Sequence, residues 1–135
     1  MLNILLVMIG GALGSVARFA IGRATAGLST GFNWPVGTYA ANLSGGLLMG
    51  VLMGLLLGPL KSLQWGVIDA ERARLFFGVG VLGGFTTFSS FSLETMMMLE
   101  RRDYATAALY VSSSVILSVL AVMAGLILVR KLVSA

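Results

Sequence analysis

The chain has 135 residues, 58% of them hydrophobic and 10% charged, with a mean hydropathy of +0.99. Soluble domains carry roughly 25% charged residues, so a water-soluble globule is excluded and the solvent is lipid. A spanning helix takes about 20 residues, which allows four spans with short connections and no soluble catalytic domain. With no Cys and no His, thiolate chemistry, disulfides, haem ligation and most zinc or copper sites are excluded as well, because they need sulfur or imidazole donors. No enzyme is expected. Nor does the net charge of +4 mark a nucleic-acid partner: Lys and Arg stand singly or in pairs at the ends of apolar runs, where membrane-boundary charges belong.

The first span is expected over residues 2–22, free of acids and of Lys, with Arg18 and Arg23 near its end. Those cations lie on the wrong flank for a cleaved signal peptide, so a retained helix is expected. A polar connection, Thr25 to Trp34, leads to Pro35, which suits the first turn of a helix, and a second span over 36–57 that Gly58-Pro59 stops. Lys61 to Arg74 is the longest polar stretch and reads as an exposed loop or short interfacial helix. The third span covers 75–99, but Gly83-Gly84-Phe85-Thr86-Thr87 is poor helix material, and a break is expected there. Glu100 to Asp103 makes a tight charged turn before a fourth span over 104–129. Trp34, Trp65 and Tyr104 fall near span ends, where aromatic belts form. The fold class is an all-α membrane protein of four transmembrane helices with a broken third helix.

If the spans alternate, one side carries Lys61, Arg72, Arg74, Arg130 and Lys131 and the other Arg18, Arg23, Arg101 and Arg102, five against four. The positive-inside rule needs an excess. Near-balance points to insertion in both orientations, and hence to an antiparallel homodimer about a two-fold axis in the membrane plane. The alternative is that the amino terminus or one well-placed Arg settles a single orientation.

Inside the spans the ionisable groups are Glu94, in the last turns of its helix, and Arg18. Glu94 is too near the end for a mid-membrane proton relay and reads equally as an interfacial carboxylate. Arg18 is either a snorkelling anchor or an attractor of anions into a vestibule. Neutral hydrogen-bonding groups are plentiful at membrane depth. Thr38 and Asn42 share a face of span two, and Tyr110, Ser114 and Ser118 line one stripe of span four, while Ser112 and Ser113 fall off it and suit local backbone bonds. Such residues build either a polar track or helix-helix contacts. A broken span would free mid-membrane carbonyls that must be satisfied. Across a dyad, two sets of them suit a small cation such as Na⁺. Phe88 and Phe91, three apart, share a side, as core packing or as ring edges of partial positive charge.

These motifs together resemble the Fluc (CrcB) family of bacterial fluoride channels along the whole chain. Gly10-Gly11, Gly14 and Arg18-Phe19 are similar to the family's first-helix pattern, and Gly37-Thr38, Asn42, Gly45 and Gly50 to its second. Gly83 to Ser92, reading GGFTTFSSFS, is similar to the broken third-helix signature, and Tyr110, Ser114 and Ser118 to the fourth-helix polar track. Leu47 and Phe19 depart from the usual Phe and Tyr. The resemblance implies a passive fluoride channel in the bacterial inner membrane, an antiparallel dual-topology homodimer with two pores. Phe88 and Phe91 would line the pore with Asn42 as their hydrogen-bonding partner. Thr38, Tyr110, Ser114 and Ser118 would form the track, with Glu94 near one end. Gly83 and Thr86 would offer backbone oxygens to a structural Na⁺ on the dyad. The alternative is a small dual-topology multidrug exporter, which needs a mid-membrane acid in its first helix; residues 2–17 contain none.

Overall fold

The structure, a computed structural model, describes residues 1–28, 34–60, 64–65 and 68–133. Helices α1 (Leu2–Thr25) and α2 (Val36–Leu57) form from unbroken apolar sequence, in which intrahelical bonds satisfy the backbone groups that lipid cannot. Pro35 sits at the N-cap of α2, one place earlier than the first turn, and its carbonyl accepts the first helical bond from Tyr39 at 3.0 Å. At the other end Gly58 donates to Gly54 at 3.1 Å and the helix stops.

A two-residue antiparallel ribbon follows, β1 (Gln64–Trp65) with β2 (Ile68–Asp69), pairing Gln64 with Asp69 and Trp65 with Ile68. Asp69 then caps a new helix, its Oδ1 accepting from the Arg72 backbone N–H at 2.7 Å. Helical winding therefore begins at Ala70, five residues before the expected start of span three, in α3 (Ala70–Ala73). The polar stretch tolerates this because Glu71 and Arg74 pair at 2.8 Å one turn apart. Residues Arg74–Leu82 wind as a π-helix, and α4 (Gly83–Phe85) continues from it. Thr86 and Thr87 are extended, with ψ of 158° and 124°, and α5 (Phe88–Glu100) starts directly after them.

Between α5 and α6 (Tyr104–Val133) the chain turns in three residues. Arg102 takes φ 61°, the Arg102 and Asp103 amides close onto Leu99 and Met98, and Asp103 caps α6 by accepting from Thr106 at 3.3 Å. Helix α6 runs on to Val133, past the expected end at 129. Among the described residues four segments are long and apolar enough to cross a membrane: Leu2–Thr25, Val36–Leu57, Ala70–Glu100 and Tyr104–Val133. Much of the expected Thr25–Trp34 connection, residues 29–33, lies outside the described residues. So do Lys61, Ser62 and the side chain of Trp65.

In lipid the helices gain little from hiding apolar surface, so small residues that let backbones touch drive their packing. Helix α2 lies along α6, and α1 lies along the π-helical stretch and α4. Gly50 brings α2 against α6 so closely that a side chain there would strike the Val122 carbonyl. Gly14 does the same for α1, which meets the Val81 carbonyl and the Phe85 amide. A buried cluster of Met98, Ala107 and Tyr110, with Trp34, Tyr39 and Phe91 packed on it, closes one end of the bundle.

Candidate functional site

Two extended residues in hydrocarbon leave peptide groups that need partners. The Thr86 amide and hydroxyl both donate to the Leu82 carbonyl at 3.0 Å. Thr87 is gripped by α2: its N–H donates to Asn42 Oδ1 at 2.8 Å, and Asn42 Nδ2 donates to its carbonyl at 3.0 Å. The Thr87 hydroxyl accepts from the Ser90 amide at 3.2 Å and so caps α5. Asn42 thus applies both ends of its amide to the N–H and C=O of one residue, where the resemblance makes it a partner of the Phe88 and Phe91 rings.

One turn away, Glu94 joins three helices. Thr38 Oγ1 donates to Glu94 Oε1 at 2.6 Å, and Tyr110 OH donates to Oε2 at 2.8 Å. Both hydroxyls direct their protons to the one carboxyl group. Tyr110 is fully buried and is the hub of a ring series: Trp34 meets it edge-on at 5.3 Å, Tyr39 lies 6.2 Å away, Phe91 is at 5.2 Å, and Phe88 is 5.7 Å beyond Phe91.

Beside this network an open groove of about 410 Å³ runs between α2, the Thr86–Phe91 segment and α6. Asn42, Thr86, Phe88, Phe91, Ser114 and Ser118, all expected site residues, line it with Thr87 and aliphatic side chains, and its described lining carries no charge. Ser114 is buried and its Oγ has no hydrogen-bond partner among the described residues. Its neighbours do not share that state: Ser112 donates to Ala108 at 2.7 Å and Ser113 to Tyr110 at 3.4 Å along their own helix. An orphan hydroxyl costs free energy unless a visiting group meets it.

Thr38, Glu94 and Tyr110 thus stand together at one end, separate from the groove wall. Arg18 and Gly83 lie elsewhere. Arg18 Nε donates to the Gly84 carbonyl at 3.2 Å, and Gly83 is exposed. Sequence reasoning missed Thr87, Trp34 and Tyr39. Thr87 carried a signal, a hydroxyl residue directly before a helical run. Trp34 read as a belt aromatic, and nothing local distinguishes Tyr39.

An all-helical membrane protein whose hydroxyls, amide and ring edges converge on an uncharged groove belongs, by class, with proteins that pass small solutes across bilayers. The chain matches the family model described as CrcB-like protein, Camphor Resistance (CrcB), over residues 5–126. It is 52% identical over 134 residues to the fluoride-specific ion channel FluC of Caulobacter sp. (strain K31), with 99% of each chain covered. It is also 49% identical over 129 residues to the FluC of Phenylobacterium zucineum (strain HLK1), covering 95% of each, and 46% identical to that of Caulobacter vibrioides (strain NA1000 / CB15N), covering 96% of each. The chain belongs to the CrcB family. The multidrug-exporter alternative finds no support among these relatives.

Proposed function

We propose that this protein is a channel that lets fluoride leave the cytoplasm passively through the bacterial inner membrane. The single observation carrying this reading is the near-full-length similarity to fluoride-specific channels, joined here to a groove with an unpartnered Ser114 hydroxyl. Fluoride is small and strongly hydrated, so a path must replace its water with several shallow contacts. Ser and Thr hydroxyls and the positive edges of Phe88 and Phe91 supply these without a charge that would trap the ion. Larger halides are rejected by width, and cations meet no carboxylate in the groove. Thr38 and Tyr110 keep Glu94 occupied at one end.

The reading extends to an antiparallel dual-topology homodimer whose third spans work as two half-helices around Thr86–Thr87. Support comes from the five-against-four cation count, from the open side of the groove, and from Phe88, 79% exposed in the single chain though it rims the groove. A second copy would close both. A structural Na⁺ fits the donors only as a shared site. The Thr86 hydroxyl is engaged with Leu82, so one chain offers the Gly83 and Thr86 backbone oxygens, too few for a cation shell, and two copies double them. Among the described residues no three His, Cys, Asp or Glu side chains converge on a metal. When bound, the ion would fasten the two copies with neutral ligands.

Reconstituted in liposomes, the protein should release fluoride far faster than protein-free vesicles do, read with a fluoride electrode; equal rates overturn the channel reading. Phe88→Ile should cut that release about tenfold or more while leaving the assembled protein intact on gel filtration. A carboxyl-terminal tag should label from both faces of intact cells, and labelling from one face alone overturns dual insertion.

A further inference from the structure

Arg18 has two roles open to it from the sequence, anchor or anion attractor, and the structure adds a third: a contact with the third span. Helix α1 buries Gly10 and Gly14 against the third span. A side chain at Gly10 would meet the Phe76 carbonyl and Gly80, and one at Gly14 would meet Val81 and Phe85. Residues four apart share a helix face, so Arg18 is the next position along this stripe. It arrives where α4 stops. There Nε donates to the Gly84 carbonyl at 3.2 Å, in a half-buried setting.

In an uninterrupted α-helix that carbonyl would accept from the amide four residues on, which belongs to Phe88. Phe88 instead opens α5 beyond two extended residues, so Gly84 loses its intrahelical donor, and in hydrocarbon the loss must be made good. We propose that Arg18 is a positioning residue: its Nε–H replaces the donor that Gly84 loses, and so fixes the angle at which α5 leaves with Phe88 and Phe91. The interruption is then held from two sides. Helix α2 grips the Thr87 peptide through Asn42, and α1 grips Gly84 through Arg18. The effect on flux rests on the channel reading; the effect on backbone order does not.

Because Nε makes the bond, a side-chain series separates hydrogen bonding from charge. Gln places its amide nitrogen as many bonds from the backbone as Arg Nε, so Arg18→Gln keeps the donor and removes the charge. Arg18→Met removes both at similar length, while Arg18→Lys keeps the charge with its nitrogen one bond farther out. Each full-length variant is purified, checked by gel filtration and compared in liposome efflux and in hydrogen exchange of peptides covering Gly84–Phe91. Arg18→Gln should stay within about threefold of the parent flux, and Arg18→Met should fall about tenfold at every fluoride concentration and ionic strength. Exchange over Gly84–Phe91 should quicken in Arg18→Met and stay near the parent in Arg18→Gln. The proposal is overturned if Arg18→Lys keeps the flux while Gln and Met lose it equally, or if exchange there is the same in all. Should the parent protein pass no fluoride, the channel reading fails, and the exchange contrast still decides what Arg18 does.

Discussion

The two halves of the third span are attached to their surroundings by different means. Residues Arg74–Phe85 lie on α1 through backbone-to-backbone contact, with Gly14 under Val81 and Phe85. Residues Phe88–Glu100 make few such approaches and are tied by side chains: Asn42 to Thr87 at their start, then Thr38 and Tyr110 to Glu94. Contact packing tolerates no added volume. Hydrogen-bonded attachment leaves room, and the groove with its orphan Ser114 lies on that side. Close backbone packing and the groove thus fall on opposite halves of one span.

The largest test of this contrast is Gly14→Leu, which drives a side chain into the Val81 carbonyl. A cost of about 4 kcal/mol is expected, with loss of monodisperse protein on gel filtration; a normal profile would break the contact-packed half of the comparison. Asn42→Ala leaves the Thr87 N–H and C=O without their partner. It should lower stability by about 2–4 kcal/mol, read by thermal unfolding in detergent, and slow efflux more than tenfold.

Ser114→Ala separates function from stability. Removing a buried, unpartnered hydroxyl should raise stability by about 1 kcal/mol while slowing fluoride efflux about threefold, since one shallow contact is gone. A faster or unchanged flux would take Ser114 out of the path. The smallest effect is expected at Arg102, a non-glycine residue at φ 61°. Arg102→Gly should relieve about 0.5–1 kcal/mol of backbone strain, visible as a slightly higher unfolding temperature with unaltered flux, because Arg102 joins neither the groove lining nor the Glu94 contacts.

Legibility in the sequence followed helical period. Tyr110, Ser114 and Ser118 share a stripe by spacing alone, and Thr38 with Asn42 share a face, since one turn returns a side chain to the same side. Their targets were not legible. Thr38 faces Glu94 while Asn42, one turn on, faces the Thr87 peptide. The stripe divides likewise: Tyr110 joins the Glu94 carboxyl group, and Ser114 Oγ is buried without a partner among the described residues. Helical winding sets in ahead of the expected span three: Glu71, Arg72 and Arg74 make the segment polar, and the Asp69 cap and the Glu71–Arg74 pair carry the helix through it.

Composition, hydropathy and spacing by themselves determined a lipid-embedded, all-helical chain of four spans, and the motifs along it pointed to the family. Tertiary structure alone decided which helix each polar group serves: Asn42 to Thr87 across 45 residues, Thr38 to Glu94 across 56, Arg18 to Gly84 across 66. The reason is geometric. A helix reports its own faces through a local period, but the depth and angle at which two helices meet are set where backbones touch, at Gly14 and Gly50, and a single residue's shift along that contact would give every hydrogen-bonding side chain a different partner.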